Sequence, residues 1–173
     1  AEDVLKTELI EGSTLDRALL KDIFSRYDIG AVMHFSAYAY VGESVDNPSK
    51  YYENNLVGTL SLLDEMVAAG VKNFVFSSTC ATYGVPQEMP IPEHHPQNPI
   101  NPYGATKAMV ERILADYDKA YGLHSVCFRY FNAAGADPQA RIGENHDPET
   151  HLIPLALQAI SGKRPPLQLF GQD

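Results

Sequence analysis

Three short apolar runs, each far too distant from the next to pair through a tight turn, constrain this chain more than anything else in it. Ala31-Val32-Met33-His34-Phe35, Asn73-Phe74-Val75-Phe76-Ser77 and Ser125 to Phe131 read as buried strands. Helical patterns separate them. Leu15, Leu19, Leu20, Ile23 and Phe24 recur at helical spacing before the first run. A long helical stretch follows it, with Pro48 suited to its first turn and Gly70 to its stop. Asn101-Pro102 then supplies an N-cap and a first helical residue. Thr106, Val110, Ile113, Leu114, Tyr117 and Tyr121 form the apolar stripe of that helix, and Gly122 ends it. A further short helix is predicted from Leu152 to Gly162, and Leu167 to Phe170 reads as the start of another strand. Apolar strands alternating with helices predict a doubly wound α/β fold, its parallel sheet covered on both faces.

Six prolines fall from Pro86 to Pro102, five of them between the second run and the Asn101 helix. They exclude regular structure and predict a long surface loop, a kind of segment that often carries function.

The bulk properties exclude several classes. The formal net charge of -9 argues against a nucleic-acid or anionic-membrane surface, since both need clustered Lys and Arg. It leaves a phosphate ligand open, because backbone N–H groups and one or two cations can bind a diphosphate. Cys80 and Cys127 sit in apolar contexts and are expected to be reduced, buried thiols of a cytoplasmic protein. No apolar run could span a bilayer, and no signal-peptide pattern opens the chain.

The strongest chemical constellation is Tyr103-Gly104-Ala105-Thr106-Lys107. Four residues apart on a helix, Tyr103 and Lys107 point to one side. A free tyrosine, with a pKa of about 10, is a poor base at neutral pH. A neighbouring ammonium favours the phenolate and fits it to take a proton from a hydroxyl. Alone, this spacing occurs by chance on many helices, and a half-buried Tyr with a solvated Lys is the plain alternative. Its context is the second run, which ends in Ser77-Ser78-Thr79. Strand C-termini face the ligand crevice in parallel α/β sheets, so these hydroxyls could bridge a substrate oxygen and Tyr103.

A strand ending in Ser-Ser-Thr, a downstream Tyr-Gly-x-x-Lys helix and then Arg129-Tyr130-Phe131-Asn132-Ala133-Ala134-Gly135 resemble the extended short-chain dehydrogenase/reductase family. Within it, five segments are similar to those of the UDP-galactose (UDP-glucose) 4-epimerases. They are His34-Phe35-Ser36-Ala37, Val41-Gly42-Glu43-Ser44, Tyr51-Tyr52-Glu53-Asn54-Asn55, the stretch from Phe76 to Gly84, and the stretch from Pro148 to Pro154. The resemblance covers nearly the whole chain.

The resemblance implies a Rossmann-type NAD-binding domain, in part, over 1–150, and the start of a substrate-binding region over 151–173. It implies that Tyr103 removes the proton of the sugar 4-hydroxyl while NAD oxidises C4. Thr79 would hold the sugar oxygen, and Lys107 would bind the nicotinamide ribose and depress the Tyr103 pKa. Phe35, Ser36, Ala37, Tyr38 and Ala39 would pass beside the NAD diphosphate and ribose, Asn54 would contact the cofactor, and Gly58 would let its helix approach. Phe131 would lie near the nicotinamide, and Ser13 and Thr14 would reach the adenine. Asn132, His151 and Leu152 would contact the nucleotide-sugar. The resemblance further implies a homodimer built from helices, for which 48–69 and 102–121 are the candidates, acting in galactose metabolism.

Departures from the family pattern are specific. No G-x-x-G-x-x-G precedes Ala31, and no acidic residue that would grip the adenosine ribose is present, so the chain reads as a fragment or as lacking its ends. Ser13 stands where many relatives have Asp, and Ala39 where some have Lys. Thr79 replaces the commoner Ser and keeps the hydroxyl.

Sister chemistries are weighed on the same residues. Nucleotide-sugar 4,6-dehydratases resemble this chain but place Asp and Glu directly after the catalytic Thr, where Cys80 and Ala81 stand here. Decarboxylating relatives usually keep the Glu. Epimerases of UDP-pentoses or UDP-N-acetylhexosamines share the motifs and remain open. A non-catalytic dinucleotide-binding module often loses the Tyr or the Lys, and both are kept. Glu144, His146, Asp147, Glu149 and His151 match no standard zinc spacing and are expected to be a solvated loop with no metal. Cys80 has no adjacent histidine to activate it as a nucleophile.

Overall fold

A computed structural model describes residues 8–143 and 145–168. The chain divides into two compact units, the larger being Ile10–Phe131, with Asn132 onward in the other. The sequence motifs place their boundary later, at 150. Compactness divides the chain earlier because the last strand ends at Tyr130 and the next regular element starts only at Leu152.

The larger unit alternates strand and helix as the pattern predicts. Helix α1 (Arg17–Arg26) is capped by Asp16, whose side chain accepts from the Leu19 N–H. Strand β1 (Ala31–His34) follows, then a short helix α2 (Val41–Asp46) that the sequence reading, which starts its helix at Pro48, does not contain. That long helix is three segments. A first turn α3 (Pro48–Tyr51) starts at Asn47 and Pro48, a π-helical turn spans Tyr52–Val57, and α4 (Gly58–Ala68) completes it. Strand β2 (Asn73–Thr79) runs into a 3₁₀ turn (Cys80–Thr82). Helix α5 (Pro102–Tyr121) starts at the Asn101 cap, which accepts from the Gly104 N–H at 2.8 Å. It ends at Gly122, whose φ of 64° is left-handed. Strand β3 (His124–Tyr130) closes the unit.

The strands form one parallel sheet in the order β1-β2-β3. The register pairs Met33 with Val75 and His34 with Phe76 across the first seam, and Thr79 with Tyr130 across the second. Side chains alternate across the sheet, so one face carries Val32, Phe74, Phe76 and Cys127 into a core with Leu20, Leu62, Leu63, Met66, Val110 and Leu114. The other face shows Met33, Val126 and Phe128, which are 64%, 52% and 47% exposed. Among the described residues the helices bury one face. β3 therefore alternates in burial where its composition suggested a strand apolar throughout.

In the second unit the regular element is α6 (Leu152–Ile160), none of whose residues is buried. Residues 165–168 form no strand, and the rest of the strand expected from Leu167 to Phe170 lies outside the described residues.

Candidate active site

The seam between β2 and α5 gathers the predicted chemistry. Thr79 ends β2 and is 8% exposed. Its Oγ accepts the Ala81 N–H at 3.2 Å, which leaves the hydroxyl hydrogen free to donate. Tyr103 stands in the first turn of α5, with the Thr79 side chain near enough to favour its phenolate. Gly104 explains the approach. A Cβ there would meet the Ala81 carbonyl oxygen at 2.5 Å, so only glycine lets the start of α5 sit on the turn that follows Thr79.

Lys107 is 4% exposed, one turn along α5. Its ammonium donates to the Ser77 carbonyl at 2.8 Å and lies 4.8 Å from the Phe76 ring centroid and 6.0 Å from that of Tyr103. Burial lowers its pKa to about 8. Burial pushes the Tyr103 phenol above its ordinary value, against a lowering contribution from Thr79, and Lys107 is not among the causes.

Lys107 also tests the fit of a cofactor. It offers three N–H donors, one of which goes to Ser77, and it forms no ion pair among the described residues. A buried cation with unfilled donors at a strand C-terminus suits a ligand rich in hydroxyl oxygens, such as a ribose. The exposed rings of Phe35, Tyr38 and Phe131, at 57%, 41% and 57%, add flat apolar surface at the ends of β1 and β3.

The stretch from Phe35 to Ala39 leaves β1 as an irregular segment with Ser36 and Ala39 exposed and Ala37 half-buried. What holds it is Asn55, a residue the sequence reading did not single out. Its side chain accepts the Tyr38 N–H and donates to the Tyr38 carbonyl, both at 2.9 Å. Asn54 instead donates to the Asn55 oxygen at 2.9 Å. Two adjacent asparagines are indistinguishable in sequence, and the π-helical turn decides which one faces inward. Gly58 is close to Thr14, whose Oγ1 would meet a Cβ at 2.5 Å. Ser13 accepts the Leu15 N–H at 3.2 Å and so shapes the turn ahead of α1.

His34 is another buried group without a sequence signal. It sits 2.9 Å from Thr59 Oγ1, and burial, aided by the Lys107 charge, lowers its pKa to about 4. Cys80 and Cys127 are half-buried free thiols, and burial pushes Cys127 up to about 11.

Asn132, His151 and Leu152 belong to the second unit, where all three are exposed. Of the acidic and histidine-rich loop, the structure brings His146, Glu149 and His151 together, with ligand atoms within 4.8 Å of one another. Glu149 accepts the backbone N–H groups of Thr150 and His151, each at 2.8 Å. Glu144 lies outside the described residues.

With this geometry in place, comparison with known proteins is decisive. The family profile described as "NAD dependent epimerase/dehydratase family" matches residues 1–173. The chain belongs to this family. Among curated members of the NAD dependent epimerase/dehydratase family, it is 56% identical over 163 residues to a UDP-glucose 4-epimerase of Rhizobium leguminosarum bv. trifolii, covering 94% of this chain and 50% of that protein. It is 51% identical over 173 residues to a UDP-glucose 4-epimerase of Rhizobium meliloti, covering 99% and 53% respectively. The solved UDP-glucose 4-epimerase of Brucella ovis, in complex with NAD, superposes with a TM-score of 0.92 at 54% identity, covering 96% of this chain and 51% of that one. The chain thus spans about half the length of the relatives it matches, and its fold is the Rossmann-type fold of the epimerase/dehydratase family.

Proposed function

We propose that this protein is an NAD-dependent UDP-glucose 4-epimerase, which interconverts UDP-glucose and UDP-galactose by transient oxidation at sugar C4. The observation that carries the reading is the β2–α5 seam. It presents Thr79, Tyr103 and Lys107 together, with Cys80 and Ala81 in place of the carboxylates that a dehydratase needs. Relatives named UDP-glucose 4-epimerase at 51–56% identity support the same choice within the family.

NAD, when bound, supplies reversible oxidation of the carbon that bears the hydroxyl. Tyr103 takes the proton of the 4-hydroxyl and returns it in the reverse half of the cycle, so one base serves both halves and no second carboxylate is required. Thr79, its oxygen fixed by the Ala81 N–H, donates to the sugar oxygen or to Tyr103. Lys107 gives its remaining donors to the nicotinamide ribose. Phe35 to Ala39, Asn54, Ser13 and Thr14 complete the cofactor contacts, with Phe131 beside the nicotinamide. Asn132, His151 and Leu152 hold the nucleotide-sugar.

The protein works as a homodimer through the helical stretches 48–69 and 102–121, a reading supported by the exposed Val57 and Met109. It acts in the cytoplasm, in galactose metabolism. Its free thiols support that compartment, and no described helix is long and apolar enough to cross a membrane.

The test is conversion of UDP-galactose to UDP-glucose by the purified protein, with its nucleotide released by denaturation and identified by mass spectrometry. Near-equimolar NAD is expected. Tyr103→Phe should lose roughly 10²–10⁴-fold in turnover while keeping its NAD. Unchanged turnover in that variant would falsify the assignment of the base.

A further inference from the structure

One face of α5 carries Tyr103, Lys107 and Glu111 at successive turns. Three consecutive residues of β2 meet them. Thr79 lies near Tyr103, the Ser77 carbonyl accepts from Lys107, and the Ser78 hydroxyl, between the two in sequence, donates to Glu111 Oε1. Ser78 is 3% exposed, so this contact lies inside the seam.

Glu111 is held in turn by Arg129 of β3. Arg129 Nη2 donates to Glu111 Oε2 at 2.6 Å, and Nε lies 3.1 Å from both carboxylate oxygens. The other guanidinium nitrogen donates to the Tyr83 hydroxyl and to the Glu93 carbonyl, both at 2.9 Å. Gln97 donates to Glu111 Oε2 at 2.8 Å. Burial alone would push the Glu111 carboxyl up, but Arg129, Ser78 and Gln97 together hold it below its ordinary value, so it stays ionised.

We propose that the Glu111–Arg129 pair is the positioning device of the site. It fixes the register of α5 on β2, and thereby the approach of Tyr103 to Thr79. The physical need is specific. Val110 and Leu114 pack α5 on the sheet by apolar contact, which is non-directional and tolerates a small slide. Tyr103 and Lys107 make directional contacts but must also engage ligands, so neither is an independent anchor. Among the described residues the side chains of Glu111 and Arg129 hydrogen-bond to neither Thr79 nor Tyr103, and their bidentate geometry and charge make them stiff. Through Tyr83, Glu93 and Gln97 the same pair latches the proline-rich loop to the seam. A displacement of about 1 Å at a reacting pair is enough to cost up to a hundredfold in rate.

This inference rests on the epimerase reading, so Tyr103→Phe is measured beside the new variants. Glu111→Gln, Arg129→Lys and Ser78→Ala are assayed with UDP-galactose, and turnover is normalised to folded, NAD-loaded protein. The expected result is a fall in kcat of roughly tenfold or more in each, with KM within about twofold and NAD content unchanged. Ser78→Ala removes only a hydroxyl, so it keeps the test decisive if a charge variant fails to fold. Full kcat per loaded site in Ser78→Ala, with Tyr103→Phe inactive, overturns the positioning role and leaves the epimerase reading standing. Full turnover in Tyr103→Phe overturns both.

Discussion

The β2–α5 seam and the stretch from Asn132 through α6 differ in what holds them. In the seam, Lys107, Ser78, Thr79, Val110 and Leu114 are at most 8% exposed, and each polar group has a partner on a neighbouring element. In the second unit, α6 buries none of its residues, although its sequence is the most apolar of the helices. Leu152, Leu157 and Ile160 are 71%, 62% and 85% exposed. The residues proposed for catalysis thus sit on buried, well-packed elements, and Asn132, His151 and Leu152, proposed for substrate recognition, sit on exposed ones.

The same substitution in the two regions should separate them most sharply. Leu114→Ala removes a fully buried side chain and is expected to cost about 2–5 kcal/mol in denaturant unfolding. A cost below about 1 kcal/mol would mean that the seam is looser than its burial indicates.

His34, on β1 beside the seam, gives the larger unit a pH signature. Its pKa is lowered in the folded state, so the folded protein favours the neutral ring. The associated stability is present above the unfolded value of about 6.5 and is lost as pH falls toward 4, by roughly 3 kcal/mol. Denaturant titrations across that window should show the loss, and His34→Gln should flatten the slope. An equal slope in the variant would assign the acid sensitivity to other groups.

Gly104→Ala probes the close approach directly. Its new methyl meets the Ala81 carbonyl, and a loss of about 1–3 kcal/mol is expected, together with reduced turnover as Tyr103 moves off Thr79. Wild-type melting and turnover would show that the start of α5 does not depend on that contact.

The smallest effect is expected from Leu157→Ala in α6, within about 0.5 kcal/mol, because the side chain is exposed. A large loss of stability there would erase the contrast between the two regions and show that α6 is covered in solution.

Much of this was legible in the residues. Asn101, Pro102 and Gly122 mark both ends of α5 because capping is local, decided by a side chain and the backbone within one turn. Tyr103 and Lys107 share a face for the same local reason. By contrast, nothing local distinguishes Asn55 from Asn54. A π-helical turn whose geometry depends on its packing turned Asn55 inward, to the Tyr38 backbone. The Glu111–Arg129 pair was equally silent, since its members come from a helix and a strand that meet only in the folded sheet. The α2 helix was missed because its six residues are too few for periodicity to show.

The sequence by itself determined the order of strands and helices, the caps of α5 and the chemical identity of Thr79, Tyr103 and Lys107, because each depends on local backbone preference or side-chain type. Only the tertiary structure decided where the Lys107 ammonium points, that burial raises the Tyr103 phenol, and which face of the sheet is covered. Those outcomes depend on distances and desolvation between segments remote in the chain, and no local pattern encodes either.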